Sequence, residues 1–107
     1  MSDAEMKACI DTCQECHRTC LEHFSHMCLE KGGAHVEQKH AKLMLDCIAI
    51  CATCTDFMTR GSELHAYVCR ACSEVCRACA DSCEKIGMTE CAAQCRKCAD
   101  SCGAMAA

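Results

Sequence analysis

The sequence predicts an all-α protein, a single domain over residues 1–107 built as an antiparallel up-down-up-down four-helix bundle with a cysteine-lined core. Three observations predict it. The chain has no proline and only five glycines, so little interrupts helix. Gly32-Gly33, Gly61-Ser62 and Gly87 divide it into four segments, and each glycine can supply the left-handed residue that ends a helix. Within every segment cysteine recurs at alternating steps of three and four residues, the spacing of one buried face.

The first helix is expected near residues 3–30, where Ser2 and Glu5 have capping-box spacing. Its seam runs Met6, Cys9, Cys13, Cys16, Cys20, His23, Met27. Cys28 falls one position off that row, on a stripe with His17, Leu21 and Phe24. The second helix, near 35–60, carries His40, Met44, Cys47, Cys51, Cys54 and Met58. The third, near 63–86 with Ser62 as N-cap, carries His65, Cys69, Cys72, Cys76, Cys79 and Cys83. The fourth, near 89–103 and capped by Thr89 or a neighbour, carries Met88, Cys91, Cys95, Cys98, Cys102 and Met105. Leu43, Ile50 and Phe57 recur every seven residues beside the seam, as do Val68 and Val75. With Leu45, Ile48 and the alanines they are read as sealing the helix flanks, a surface that can also face another subunit.

Seventeen residues are cysteine, and the aromatics are Phe24, Phe57 and Tyr67 alone. The remaining apolar residues are few and rich in alanine, so the thiols themselves must form the core. The odd count leaves at least one thiol unpaired in a monomer. The stretch from Met1 to Lys7 lacks the basic-then-apolar pattern of a signal peptide, and no segment approaches the ~18 apolar residues that span a bilayer. The expected compartment is the cytoplasm, where dense cysteine means metal binding rather than a disulfide framework. A net charge of −4 argues against nucleic acid, and Arg70, Arg77, Arg96 and Lys97 are read as solvated surface charges.

Thiols three or four residues apart on a helix have Cβ atoms roughly 5–6 Å apart. A disulfide wants about 3.5–4.5 Å. A metal bridging two sulfurs at bonds of about 2.3 Å fits the helix far better. Zinc needs closed quartets from separate knuckles, and iron–sulfur clusters need loops that wrap a cubane. Continuous helical rows match neither. Cu(I) accepts two or three soft ligands, and thiolate, thioether and imidazole all suit it. Methionine and histidine extend the ends of the rows, so the ligand character continues to the mouths of the bundle. No carboxylate pair or Cys-His-Asp arrangement stands apart from these rows, and the expectation is a protein that is not an enzyme.

The helix-2 pattern Leu43-x-x-Asp46-Cys47-x-x-x-Cys51 and the terminal Cys91-x-x-x-Cys95-x-x-Cys98-x-x-x-Cys102 resemble the bacterial four-helix-bundle copper storage proteins, cytosolic branch. The resemblance covers essentially the whole chain. It implies a homotetramer of bundles, each filled with many Cu(I) ions held mainly by Cys-x-x-x-Cys thiolates. By that likeness the pairs are Cys9/Cys13, Cys16/Cys20, Cys47/Cys51, Cys72/Cys76, Cys79/Cys83, Cys91/Cys95 and Cys98/Cys102, with Cys28, Cys54 and Cys69 completing bridging sites. Relatives often carry cysteine where this chain has His40, and a histidine-rich connection where it has Lys85-Ile86-Gly87-Met88. The partners implied are copper ions, copies of the chain, and a copper chaperone as donor or acceptor, with no nucleic acid and no membrane.

The expected topology gathers His23, His26, Met27, His35, His40 and Met44 at one mouth, near Met88, and Met6, Met58, His65 and Met105 at the other. The histidine-rich mouth is read as the one that admits copper, with His40 and Met44 as ligands. His17 and His26 are read as surface histidines, and Met6 and Met105 as terminal packing. The functions weighed against copper storage are a zinc or general thiol buffer and an iron–sulfur electron-transfer protein.

Overall fold

The computed structural model describes residues 2–107 and contains helices and their connections only. The first helix is compound. Helix α1 spans Asp3–His23, a π-helical turn covers Phe24–Cys28, and α2 (Leu29–Lys31) completes it. A 3-10 turn at Gly33–Val36 leads into α3 (Gln38–Thr59), followed by α4 (His65–Lys85) and α5 (Thr89–Met105). Helix α1 packs against α3 and α5, and α4 packs against the same two, which is the square of an up-down-up-down bundle. The body is a rod with principal extents of 42 × 19 × 18 Å.

The ends follow local chemistry. Ser2 Oγ accepts from Glu5 N–H at 3.1 Å, so the expected cap forms. Gly32, Gly61 and Gly87 take positive φ at the three breaks, where a β-carbon would be strained. Ser62 sits further out than expected. Its Oγ accepts from Leu64 N–H and its carbonyl from His65 N–H, so it builds the turn that leads into α4 rather than the N-cap itself. Thr89 is the first residue of α5, and Met88 occupies the N-cap without a side-chain hydrogen bond.

The core runs down the rod axis and is made of sulfur. All seventeen cysteines are buried and none is bridged. Small residues let α4 and α5 approach closely. Ala80, Ala92 and Ala99 are buried, and Ser73 Oγ donates to the Ala99 carbonyl at 2.8 Å. Ile48, Ile50, Val68 and Val75 are half-buried against the sulfur column, as expected of flank residues. Leu45 departs from that expectation, because it is 50% exposed. His17 departs too. It is half-buried, with Nδ1 2.7 Å from the Ile48 carbonyl, and braces α1 against α3. Arg96 is tied to Asp81 and Glu84 between α4 and α5, so it is not merely a solvated charge. Among the described residues, no helix is long and apolar enough to cross a membrane.

The π turn corrects the first-helix seam. A π turn inserts one residue into the α-helical count and rotates everything after it. The buried face therefore passes from Cys20 through Phe24 to Cys28, and Cys28 is fully buried. Met27, placed on the seam by regular spacing, is only half-buried and lies beside Glu22, His23 and His26 on the flank.

Candidate metal centre

Four helices each contribute one sulfur row, and the rows meet at the axis. The closest sulfur contacts cross between helices: Cys13–Cys102 at 3.3 Å, Cys20–Cys95 at 3.5 Å and Cys54–Cys69 at 3.6 Å. Contacts of 3.7–3.9 Å link Cys47 to Cys76, Cys51 to Cys98 and Cys9 to Cys102. Of the seven in-helix pairs, Cys72/Cys76 has its sulfurs 3.8 Å apart. Cys16/Cys20 and Cys98/Cys102 lie within 4.8 Å. Three sulfurs around a soft ion at bonds of about 2.3 Å stand roughly 4 Å apart, so these thiols need only small shifts to hold one.

Three groups of four thiols have all their sulfurs within 4.8 Å of one another: Cys13, Cys72, Cys98 and Cys102; Cys16, Cys20, Cys47 and Cys95; and Cys16, Cys51, Cys76 and Cys98. This corrects the expectation that the rows do not resolve into quartets. They do, across helices, in a register that one helix at a time cannot reveal. The quartets also interlock, because Cys16 and Cys98 each belong to two. Sharing favours bridging thiolates over isolated closed tetrahedra.

Hydrogen bonding sets where the first thiolate charge resides. Bonds with Cys16, Cys20 and Cys47 hold Cys95 far below the ordinary thiol range. Bonds with Cys102, Cys13 and Cys16 do the same for Cys98. Each quartet thus contains at least one thiol poised to ionise, and the quartet of Cys16, Cys20, Cys47 and Cys95 holds two, since Cys47 is lowered as well. Hydrogen bonds led by Cys102 and Cys13 also lower Cys9, to about 4, and Cys54. Burial acts the other way. It pushes Cys28 up, with Cys91 reinforcing it. At Cys69 the bond with Cys102 pulls down, but the bond with Cys54 and burial outweigh it and carry the thiol to about 12.

The histidine-rich mouth assembles three donor types. Cys28 Sγ lies 3.8 Å from His40 Nε2 and 3.7 Å from Met88 Sδ. His40 Nδ1 is 2.8 Å from Ser82 Oγ, and when it donates there Nε2 keeps its lone pair toward Cys28. Burial, with His35 adding to it, lowers the pKa of His40 and keeps the ring neutral. One layer deeper, Met44 Sδ is 3.6 Å from Cys79 and 3.5 Å from Cys83. Ser82 was not legible in the sequence, since a serine off the seam carries no signal until the fold sets it against His40.

The other predicted mouth histidines do less. His23 Nδ1 donates to the Thr19 carbonyl, and its Nε2 faces Glu90. His26 is exposed, as expected of a surface histidine. His35 stands edge-on to His40 with ring centres 6.4 Å apart. At the far mouth Met58 and Met105 are buried and Met6 is half-buried.

Comparison with known proteins places this arrangement. The sequence model of the family described as Csp, copper storage protein, matches residues 2–107. A Nitrosospira multiformis protein of known crystal structure is 49% identical, with 98% of this chain and 97% of that one covered and a TM-score of 0.95. The Cu(I)-bound copper storage protein BsCsp3 is 32% identical, with 96% and 99% covered and a TM-score of 0.88. Apo copper storage protein 3 from Bacillus subtilis is 33% identical, with 94% and 98% covered and a TM-score of 0.78. The likeness spans every helix that contributes sulfur to the axis, and the chain belongs to the copper storage protein family.

Proposed function

We propose that this chain is a cytoplasmic copper store that holds many Cu(I) ions as cargo in the thiol column. The single observation that carries the reading is the column itself: seventeen buried, unbridged thiols whose contacts link all four helices. All the cysteines serve as ligands, with His40 and Met44 added at the histidine-rich mouth. Copper displaces the thiol protons as it binds, so loading releases acid and weakens at low pH. Bridging thiolates let each sulfur serve two ions, so capacity is on the order of one Cu(I) per cysteine. The chain performs no catalysis in this reading. It assembles as a homotetramer, a reading supported by Leu21 and Leu45, apolar side chains exposed at 42% and 50%. A copper chaperone is the donor or acceptor.

Anaerobic titration with Cu(I) against a competing chelator tests the reading. The expected saturation is well above ten ions per chain, and sedimentation of the same sample should give the mass of four chains. Saturation at four ions or fewer would remove the storage function. The quartets favour one second reading, a zinc buffer, because a closed four-thiolate site is what zinc takes. Two quartets share no residue, so zinc saturating near two ions and resisting Cu(I) is the result that would select it.

A further inference from the structure

His65 ends the α4 sulfur row at the far mouth, one helical turn before Cys69. Its Nδ1 lies 2.9 Å from the Ser62 carbonyl oxygen. A carbonyl can only accept, so Nδ1 carries the proton and the neutral ring keeps its lone pair on Nε2. That Nε2 is buried and has no hydrogen-bond partner among the described residues. A buried acceptor left unpaired is unfavourable, because it has lost its bond to water and gained none. A carbonyl fixing one ring nitrogen while the other is left free is how a metal-ligating histidine is commonly oriented.

The neighbouring thiols have the complementary shortage. Cys54 and Cys69 stand 3.6 Å apart, close to the edge of a three-coordinate Cu(I) site, yet neither belongs to a four-thiol group. Among the described residues no third thiol, imidazole or carboxylate lies within 4.8 Å of both sulfurs, and Cys102, which acts on both, already belongs to the quartet with Cys13, Cys72 and Cys98. His65 and Cys69 are four residues apart on one helix face, so their β-carbons lie roughly 5–6 Å apart.

We propose that His65 Nε2 is a copper ligand that joins Cys54 and Cys69 in a mixed nitrogen–sulfur Cu(I) site closing the far mouth. The two thiols give up their protons to solvent as the ion binds. The proposal rests on the copper-storage reading, and its test keeps the two apart. Native chain labelled with 15N-histidine is titrated anaerobically with Cu(I), while thiolate-to-copper absorption in the ultraviolet reports uptake. The expected result is a shift of the His65 Nε2 resonance away from the free-imine position by saturation. In parallel, His65→Ala should saturate one ion per chain lower, with unchanged helical circular dichroism. Uptake with a stationary Nε2 resonance would overturn this proposal alone and leave the site to Cys102. Absence of uptake would overturn the storage reading with it. Should the Ala variant fail to fold, the resonance of the native chain decides the matter.

Discussion

At the residue scale the question is why a thiol column should end in neutral and more exchangeable donors. His40 offers a neutral imidazole, Met88 and Met44 offer thioethers, and Cys28 is the outermost thiol at that mouth. Neutral donors release Cu(I) more readily than thiolates do, so an ion caught at Cys28, His40 and Met88 can move to Met44, Cys79 and Cys83 and then to the quartets. Replacing both His40 and Met44 with leucine should slow loading by about tenfold, the effect of roughly 1.4 kcal/mol on a barrier. Final capacity should fall by no more than about two ions, since two of the side chains that can hold copper are removed. Stopped-flow absorbance under anaerobic conditions reads both, and an unchanged rate would rule out this mouth as the route. The two residues were legible because they continue the three-four rhythm of Cys47, Cys51 and Cys54. Ser82 and the cross-helix partners were not. Which sulfur meets which depends on helix rotation and axial register, and those are set by packing among all four helices at once.

At the element scale the sequence pattern carried the helices, their order and their buried faces, but missed a rotation inside one of them. Regular spacing puts Cys28 one position off the row, on an adjacent stripe, because the count from Cys20 is eight, one more than two regular turns allow. The π turn at Phe24–Cys28 absorbs that extra residue. A π turn has no strong compositional signal, and Phe-Ser-His-Met-Cys reads as ordinary helix. The structure yields a counter-intuitive expectation. Deleting Ser25 should leave Cys28 buried, because a regular helix one residue shorter brings that cysteine to the same face. Stability of the metal-free protein should stay within about 1 kcal/mol of the parent, and copper capacity should not change. Exchanging the two residues instead, as Met27→Cys with Cys28→Met, should move a thiol to the flank. Reaction with an aqueous disulfide reagent distinguishes them. One fast thiol is expected in the exchange variant and none in the deletion, and a fast thiol in the deletion would show that the turn does not set the register.

At the scale of the whole molecule the metal-free bundle is a core of acids held out of water, and its stability must depend on pH in a way that copper removes. Burial raises Cys28, and the bond with Cys54 together with burial carries Cys69 to about 12 against the pull of Cys102. An unfolded thiol ionises near 8.5. Above that pH the unfolded chain binds fewer protons than the folded one, so stability falls as pH rises, until the folded-state values are reached. Each such thiol costs about 1.4 kcal/mol per pH unit across that window. Cys95 and Cys98, held below the ordinary range, have lost their protons in both states by then and contribute no opposing slope. Below pH 8.5 they act the other way, since the folded state keeps charge that the unfolded state has lost. Denaturant midpoints of the metal-free protein under reductant should therefore drop steeply between pH 8.5 and 10.5. In the loaded protein the protons have already been replaced by copper, which binds only the folded form and adds stability by mass action. Its midpoint should lie higher at every pH and stay nearly flat over that interval. A metal-free bundle equally stable at pH 8.5 and 10.5 would mean that the thiols ionise inside the fold as freely as in water. The core would then be wet, and a dry column of sulfur could not be what excludes water and oxidant from the bound ions.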